Sequence, residues 1–306
     1  MNSGPVDPAG RPLIEKLGTI DCDLVEATPV VFKGTLYRCE WVRTGYAGNT
    51  LGRSYGRLVE RETGRIIGPV AEDLIFHSAF VDGDTLYVLG TSTEEGWNGA
   101  RVDMFATRDL KRWESWTALD LAGYSICNTS LCKAGDQYVL MFEISKPVEE
   151  AGVPFTARFA TSSDLRRWTL TPPECVYAKD RYTAPHCLRW LDGWFYDFYL
   201  EAFEGYDTRV VRSKDLIHWV ASPLNPVMRA SDEDRKIANP RLTPAERARI
   251  ATAVNINNSD IDFCEHEGCV LTTYSWGNQT GVEHLAEAVY RGSLEQFLRG
   301  WFPEEK

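Results

Sequence analysis

The side chains best able to do chemistry together in this chain are five carboxylates, two histidines and three tryptophans. They are Glu26, Glu143, Glu201, Asp260 and Asp262, with His77 and His186, and with Trp41, Trp97 and Trp276. Asp260 and Asp262 stand two apart in Asn257-Asn258-Ser259-Asp260-Ile261-Asp262-Phe263, a spacing that puts both on one face of a β-strand. Two acids facing one way are costly unless they bind or react. Glu26 precedes Ala27-Thr28-Pro29, while Glu143 and Glu201 each end an aromatic-rich run, where partial burial would raise their pKa. Carboxylates of this kind do acid and base work, Asn128, Ser259 and Arg43 can bond hydroxyls, and the indoles offer flat apolar faces. The mixture suits a sugar ring. Cleavage of a glycosidic bond needs two carboxyl groups, about 5 Å apart for retention or roughly 6.5–9.5 Å for inversion.

What brings these residues together is a repeat. A turn around glycine followed by a strand-like run recurs at Gly34, Gly83, Gly135, Gly193 and Gly268. A second phrase follows three of them: Asp109-Leu110-Lys111-Arg112-Trp113, Asp164-Leu165-Arg166-Arg167-Trp168 and Asp215-Leu216-Ile217-His218-Trp219. Repeats of roughly 50 residues built from short strands indicate a propeller. Asp opens a turn in the second phrase, and its Leu and Trp are expected to pack between neighbouring sheets. Four strands per repeat predict an all-β, five-bladed β-propeller of four-stranded antiparallel blades. Residues 1–21 read as a Gly- and Pro-containing arm and 22–306 as a single domain. Between blades four and five, at about 223–253, lies a short helical insertion whose Thr243-Pro244-Ala245-Glu246 is a capping-box start. Gly292 to Leu298 predicts a second short helix.

In a propeller the first strand of each blade lines the axis and the second returns beside it. Reflecting each hairpin about its glycine turn therefore names one ring of residues. Blade one contributes Glu26 opposite Trp41 and Arg43. Blade two contributes His77, blade three Asn128 opposite Glu143, and blade four His186 near Glu201. Blade five contributes Ser259, Asp260 and Asp262 opposite Trp276.

At this point the chain resembles the five-bladed propeller glycosidases, the clan around glycoside hydrolase families 43, 32 and 117. The resemblance lies in the glycine hairpins, the Ser-x-Asp-Leu-x-x-Trp blade ends and the Asn-Asn-Ser-Asp-Ile-Asp strand, and covers about residues 22–303 as architecture. It implies a catalytic base Asp opening blade one, a pKa-tuning Asp in blade three and an acid Glu before Gly-Pro in blade four. This sequence instead has Glu26-Ala27-Thr28-Pro29, Asn128-Thr129-Ser130 and Thr183-Ala184-Pro185-His186 at those places, so the family 43 mechanism does not carry across. Family 117 resemblance adds weight to His186 as an acid.

The expectation is an exo-acting glycosidase on a small carbohydrate. Its base would be Asp260 or Asp262 and its acid Glu201 or His186. Glu26, counted among the catalytic residues, and Glu143, counted among the substrate-binding ones, would bind hydroxyls or tune pKa, and His77, Asn128, Trp41, Arg43, Trp97, Ser259 and Trp276 would bind substrate. Two alternatives remain open: a phosphorylase, which needs cations such as Arg43, Arg181 or Arg189 at a phosphate, and a non-catalytic sugar-binding propeller. No cofactor is expected; a divalent ion held by His77, Asp260 or Asp262 has no ligand spacing behind it.

Composition agrees. A net charge of −11 and a pI near 5.1 argue against nucleic-acid or anionic-membrane surfaces. No apolar run reaches the ~20 residues of a membrane span, and the N-terminus shows no secretory pattern, so a cytoplasmic location is expected. The eight cysteines form no C-x-x-C pair and read as buried, reduced thiols.

Overall fold

The computed structural model describes residues 4–94, 98–202 and 205–303. Its strands form five antiparallel sheets. Blade one is Thr28–Phe32, Thr35–Val42, Tyr55–Glu60 and Ile66–Val70; blade two is Ile75–Asp82, Thr85–Thr91, Arg101–Thr107 and Glu114–Asp120. Blade three is Ser125–Ala134, Gln137–Lys146, Thr156–Ser162 and Thr169–Leu170, with an extra short strand, Val176–Tyr177, pairing with its third. Blade four is Thr183–Leu191, Trp194–Glu201, Asp207–Ser213 and Trp219–Ala221. Blade five takes three strands from the end of the chain, Ser259–His266, Cys269–Gly277 and Glu283–Tyr290, and its outer strand, Ile14–Cys22, from the beginning. The first strands of successive blades touch around a closed ring.

Local chemistry explains the elements. The five hairpin glycines all have positive φ, from 59° to 82°, a region that costs glycine nothing. In the Asp-Leu-x-x-Trp phrases, Asp109, Asp164 and Asp215 each accept two backbone N–H bonds at 2.8–2.9 Å. Leu110 and Trp113, Leu165 and Trp168, and Leu216 and Trp219 then join hydrophobic clusters shared by adjacent blades. These motifs are structural, as expected. So is the helix Pro244–Thr252, whose capping box joins Thr243 and Glu246, and the helix Leu294–Gly300 capped by Ser293.

Two expectations need correction. Residues 14–22 are a strand rather than part of an arm, because blade five would otherwise leave Glu283–Tyr290 as an open edge. The strand is fastened through Lys16, whose buried ammonium lies 2.7 Å from Asp234 in a 3-10 turn of the insertion, Asp232–Arg235. The second correction concerns register. In blades two to five the first strand carries one extra residue: Ile75 and Ser78 face Thr91 and Leu89, Ile126 and Thr129 face Ile144 and Phe142, Thr183 and His186 face Glu201 and Tyr199, and Ser259 and Asp262 face Ser275 and Thr273. A bulge of this kind re-aims the side chains beyond it. Simple reflection about the glycine turns therefore loses phase near the mouth of the channel.

Candidate active site at the channel mouth

The bulges decide which residues face a common space. Counting back from the paired positions Thr28, Ser78, Thr129, His186 and Asp262, Glu26, Phe76 and Asp260 fall at equivalent places in blades one, two and five. All three are non-glycine residues with left-handed backbone, φ 55°, 53° and 53°. Such conformations cost about 1–3 kcal/mol and concentrate where a side chain must be aimed. All three line one cavity of about 660 Å³. Its wall also includes Trp41, Arg43, Asn128, Glu143, Ser259 and Glu283.

The carboxyls of this cavity are electrostatically unusual. Burial, then the neighbouring Asp260 carboxylate, holds Glu26 well above the ordinary glutamate range, and its Oε2 is buried with no hydrogen-bond partner. Burial also raises Asp260, but Ser259 Oγ donates to its Oδ2 at 3.1 Å and Arg43 opposes the shift. Glu143, fully buried, is pushed up to about 7 by burial. It accepts the His186 N–H at 2.9 Å on one oxygen and Asn128 Nδ2 at 3.1 Å on the other. Glu283 reaches about 7 through burial and the Asp260 charge. Its Oε1 accepts the Gln279 N–H at 2.6 Å, while Oε2 is buried without a partner.

The remaining sequence candidates lie elsewhere. A small space of about 30 Å³, about enough for one water, shares Glu26, Phe76, Asn128 and Asp260 with the cavity and is also lined by Thr28, His77, Thr129, His186 and Asp262. Asp262 is across the bulge from Asp260 and forms a close ion pair with Arg189. Only Asp260 of the two acids lines the larger cavity, because the extra residue between Ser259 and Asp262 breaks the period-2 alternation. His186 is buried, with Nδ1 2.8 Å from Asp197 and Nε2 2.7 Å from the Thr183 carbonyl. Burial opposes its charge, but Asp197 holds its pKa above the usual value. His77 is driven down to about 4 by burial; its Nε2 donates to the Ala71 carbonyl at 2.9 Å. Gly56 and Gly90 leave room for its ring, since a Cβ at either would come within 2.9 and 3.3 Å of it.

Glu201 pairs with Arg181 at 3.1 Å and accepts from Tyr199 OH at 3.2 Å, and does not line the cavity. Trp276 is fully buried and donates to Thr19 Oγ1 at 2.8 Å, so it is core. Trp97 lies outside the described residues. Of the cations named for a phosphate, Arg181 and Arg189 are engaged by Glu201 and Asp262, and Arg43 alone lines the cavity, donating to the Asp23 carbonyl at 2.7 Å. Among the described residues no group of three or more His, Cys, Asp or Glu side chains is arranged to hold a metal.

Sequence reasoning missed Glu283, Phe76, Phe155 and Tyr182, all of which line the cavity. Glu283 opens the third strand of blade five, which the hairpin reflection does not reach. Phe155 and Tyr182 precede strands and carry no pattern of their own.

No family model matches the sequence, and no curated protein matches it. The fold, however, matches solved structures. A mutant GH43 protein from Bacillus licheniformis superposes with a TM-score of 0.59 at 13% identity, over 90% of this chain and 54% of that one. This chain thus spans about half of that relative. A thermostable family-43 glycoside hydrolase matches with a TM-score of 0.58 at 9% identity, covering 88% and 90%. An α-L-arabinofuranosidase from Podospora anserina, solved with cellotriose, matches with a TM-score of 0.57 at 10% identity, covering 94% and 93%. At these identities the likeness is one of fold, the five-bladed propeller shared with GH43 and related glycosidases.

Proposed function

We propose that the protein is a glycoside hydrolase acting on a small glycoside through the cavity carboxyls, with Glu26 as acid and Asp260 as its ionised partner. The observation that carries this reading is the pairing of Glu26 and Asp260 in one cavity, each aimed by a left-handed backbone. Burial raises both carboxyls and the Asp260 charge raises Glu26 further, so the pair divides into one protonated and one ionised group. Glu26 is the better proton holder, because the Ser259 hydroxyl donates to Asp260 whereas Glu26 feels the Asp260 charge and has an Oε2 without a partner. In the reaction the glycosidic C–O bond breaks and the Glu26 proton goes to the departing oxygen. Asp260 offsets the positive charge growing at the anomeric carbon, and water loses a proton to a carboxylate as it supplies the new hydroxyl. Asn128 orients Glu143 for a sugar hydroxyl.

The fold of the relatives supports the reaction class. The place of Asp262 and Glu201 in ion pairs turns the assignment away from them. The test is hydrolysis of a panel of 4-nitrophenyl pentosides and hexosides of both anomers by the native chain, Glu26→Gln and Asp260→Asn. Turnover by the native chain should fall by about 10²–10⁴-fold in each variant with melting unchanged. Full activity in both variants would discard the assignment. A native chain that binds sugars without turnover would select the sugar-binding reading, and cleavage only with added phosphate the phosphorylase.

A further inference from the structure

The cavity is chemically divided. Its acidic arc comes from blades five and one: Asp260, Ser259, Glu283, Glu26 and Arg43. Its other arc carries the aromatic rings and crosses blades one to four. Trp41 and Phe76 pack with ring centroids 4.9 Å apart. With Ile75 and Cys127 they form one buried cluster, against which Phe155 packs. Phe155 in turn meets Tyr182 edge to face at 5.6 Å. Trp41, Ile75, Phe76, Phe155 and Tyr182 all line the cavity, and Phe155 and Tyr182 are only half-buried. Polar groups stand among these rings: Asn128 and Glu143, which bond to each other, and, from blades one and two, Thr44, Arg53, Ser54, Asp73 and Thr93.

A sugar ring carries hydroxyls around its rim and needs hydrogen-bond partners on every side. The acidic arc supplies them in one cluster, and the faces of the four aromatic rings do not. A volume of about 660 Å³ also leaves space beyond one sugar ring, within the range of about 300–1,000 Å³ that holds drug-sized ligands. A continuous aromatic wall beside the carboxyls rewards a flat apolar group through burial and ring packing. Building on the glycosidase reading, we propose that the substrate is a glycoside whose leaving group is a flat apolar ring. The sugar lies on the acidic arc and the ring on the wall formed by Trp41, Phe76, Phe155 and Tyr182. Tyr182 marks the seam: burial, then the nearby Glu143 and Asp260 carboxylates, pushes the pKa of its hydroxyl up. Protonation of the glycosidic oxygen by Glu26 then releases an aryl alcohol onto an apolar surface.

The test separates this inference from the glycosidase reading by measuring binding rather than turnover. Calorimetry with Asp260→Asn compares 4-nitrophenyl glycosides with methyl glycosides of the same sugar and anomer, with 4-nitrophenol alone and with disaccharides. The aryl glycosides should bind at least about tenfold more tightly than their methyl counterparts. Phe155→Ala, at a half-buried position, should collapse that ratio towards one, and Tyr182→Ser provides a second variant of the same wall. Equal affinities, tighter binding of disaccharides, or no binding by any aryl glycoside or by 4-nitrophenol would overturn the proposal. An aryl preference in a native chain that hydrolyses nothing would uphold the wall and sink the hydrolase reading alone.

Discussion

At the scale of residues, the cavity carboxyls are held where water would not leave them, and their proton affinities follow. Glu283 makes this measurable. Its folded pKa of about 7 lies above its ordinary value of 4.5, so between those values the folded state binds more protons than the unfolded one. Stability then falls as pH rises through that window. The native chain should lose stability between about pH 5 and 8, with Glu143, also near 7, adding to the slope. Glu283→Gln keeps an acceptor for the Gln279 N–H and places a neutral amide where Oε2 has no partner. It should flatten part of the slope and raise stability at pH 8 by on the order of 2 kcal/mol, discounted for solvent in the cavity. Denaturant midpoints across pH check this; an unchanged slope in the variant would remove Glu283 as a contributor.

At the scale of elements, the first strands explain both what the sequence displays and what it conceals. Turns and caps are local: a glycine at positive φ, an Asp accepting two N–H groups and the Thr243–Glu246 box all involve neighbours in sequence. They are legible for that reason. A bulge is a relation between two strands, and nothing in Asn257 to Phe263 announces that the alternation breaks between Ser259 and Asp262. The outer strand Ile14–Cys22 is likewise a distant partnership, held by Lys16 against Asp234, which also receives Tyr274 OH at 2.9 Å and Asn258 Nδ2 at 3.1 Å. Lys16→Met leaves that buried carboxylate without its cation and should cost about 3 kcal/mol. Adding Asp234→Asn should recover part of the loss, because the amide no longer needs a counter-charge. Thermal melting of the two variants measures both effects.

At the scale of the whole molecule, the propeller is a ring closed by side chains as well as by strands. Ser78 and Thr129 hydroxyls meet at 2.8 Å between blades two and three, Ser130 Oγ accepts the Leu188 N–H at 3.0 Å between three and four, and Arg61 holds Glu287 at 2.9 Å between one and five. The Arg189–Asp262 pair joins blades four and five. Asp262→Asn should therefore act on the ring. It should lower the melting temperature by several degrees while reducing turnover far less than Asp260→Asn does. Side-by-side melting and kinetics decide it, and a loss of turnover in Asp262→Asn as large as that in Asp260→Asn would return Asp262 to the chemistry. Removing residues 1–22 tests closure itself. It should expose Glu283–Tyr290 as a free edge, giving a less cooperative melt and association detectable by size-exclusion chromatography.

The sequence alone determined the five repeats, the blade ends, both capped helices and part of the acidic set, because hydrogen bonds and backbone propensities between near neighbours leave marks at fixed spacing. Glu26, Asp260, Asn128 and Glu143 were found in that way. Only the tertiary structure decided that Asp262 and Glu201 pair with arginines and His186 with a buried Asp197, that Glu283 joins the cavity and that aromatic rings from several blades line its other side. Those choices depend on strand register and on which distant residue answers a buried charge. Both are settled when the blades close around the axis and a one-residue bulge sets the direction of every side chain beyond it.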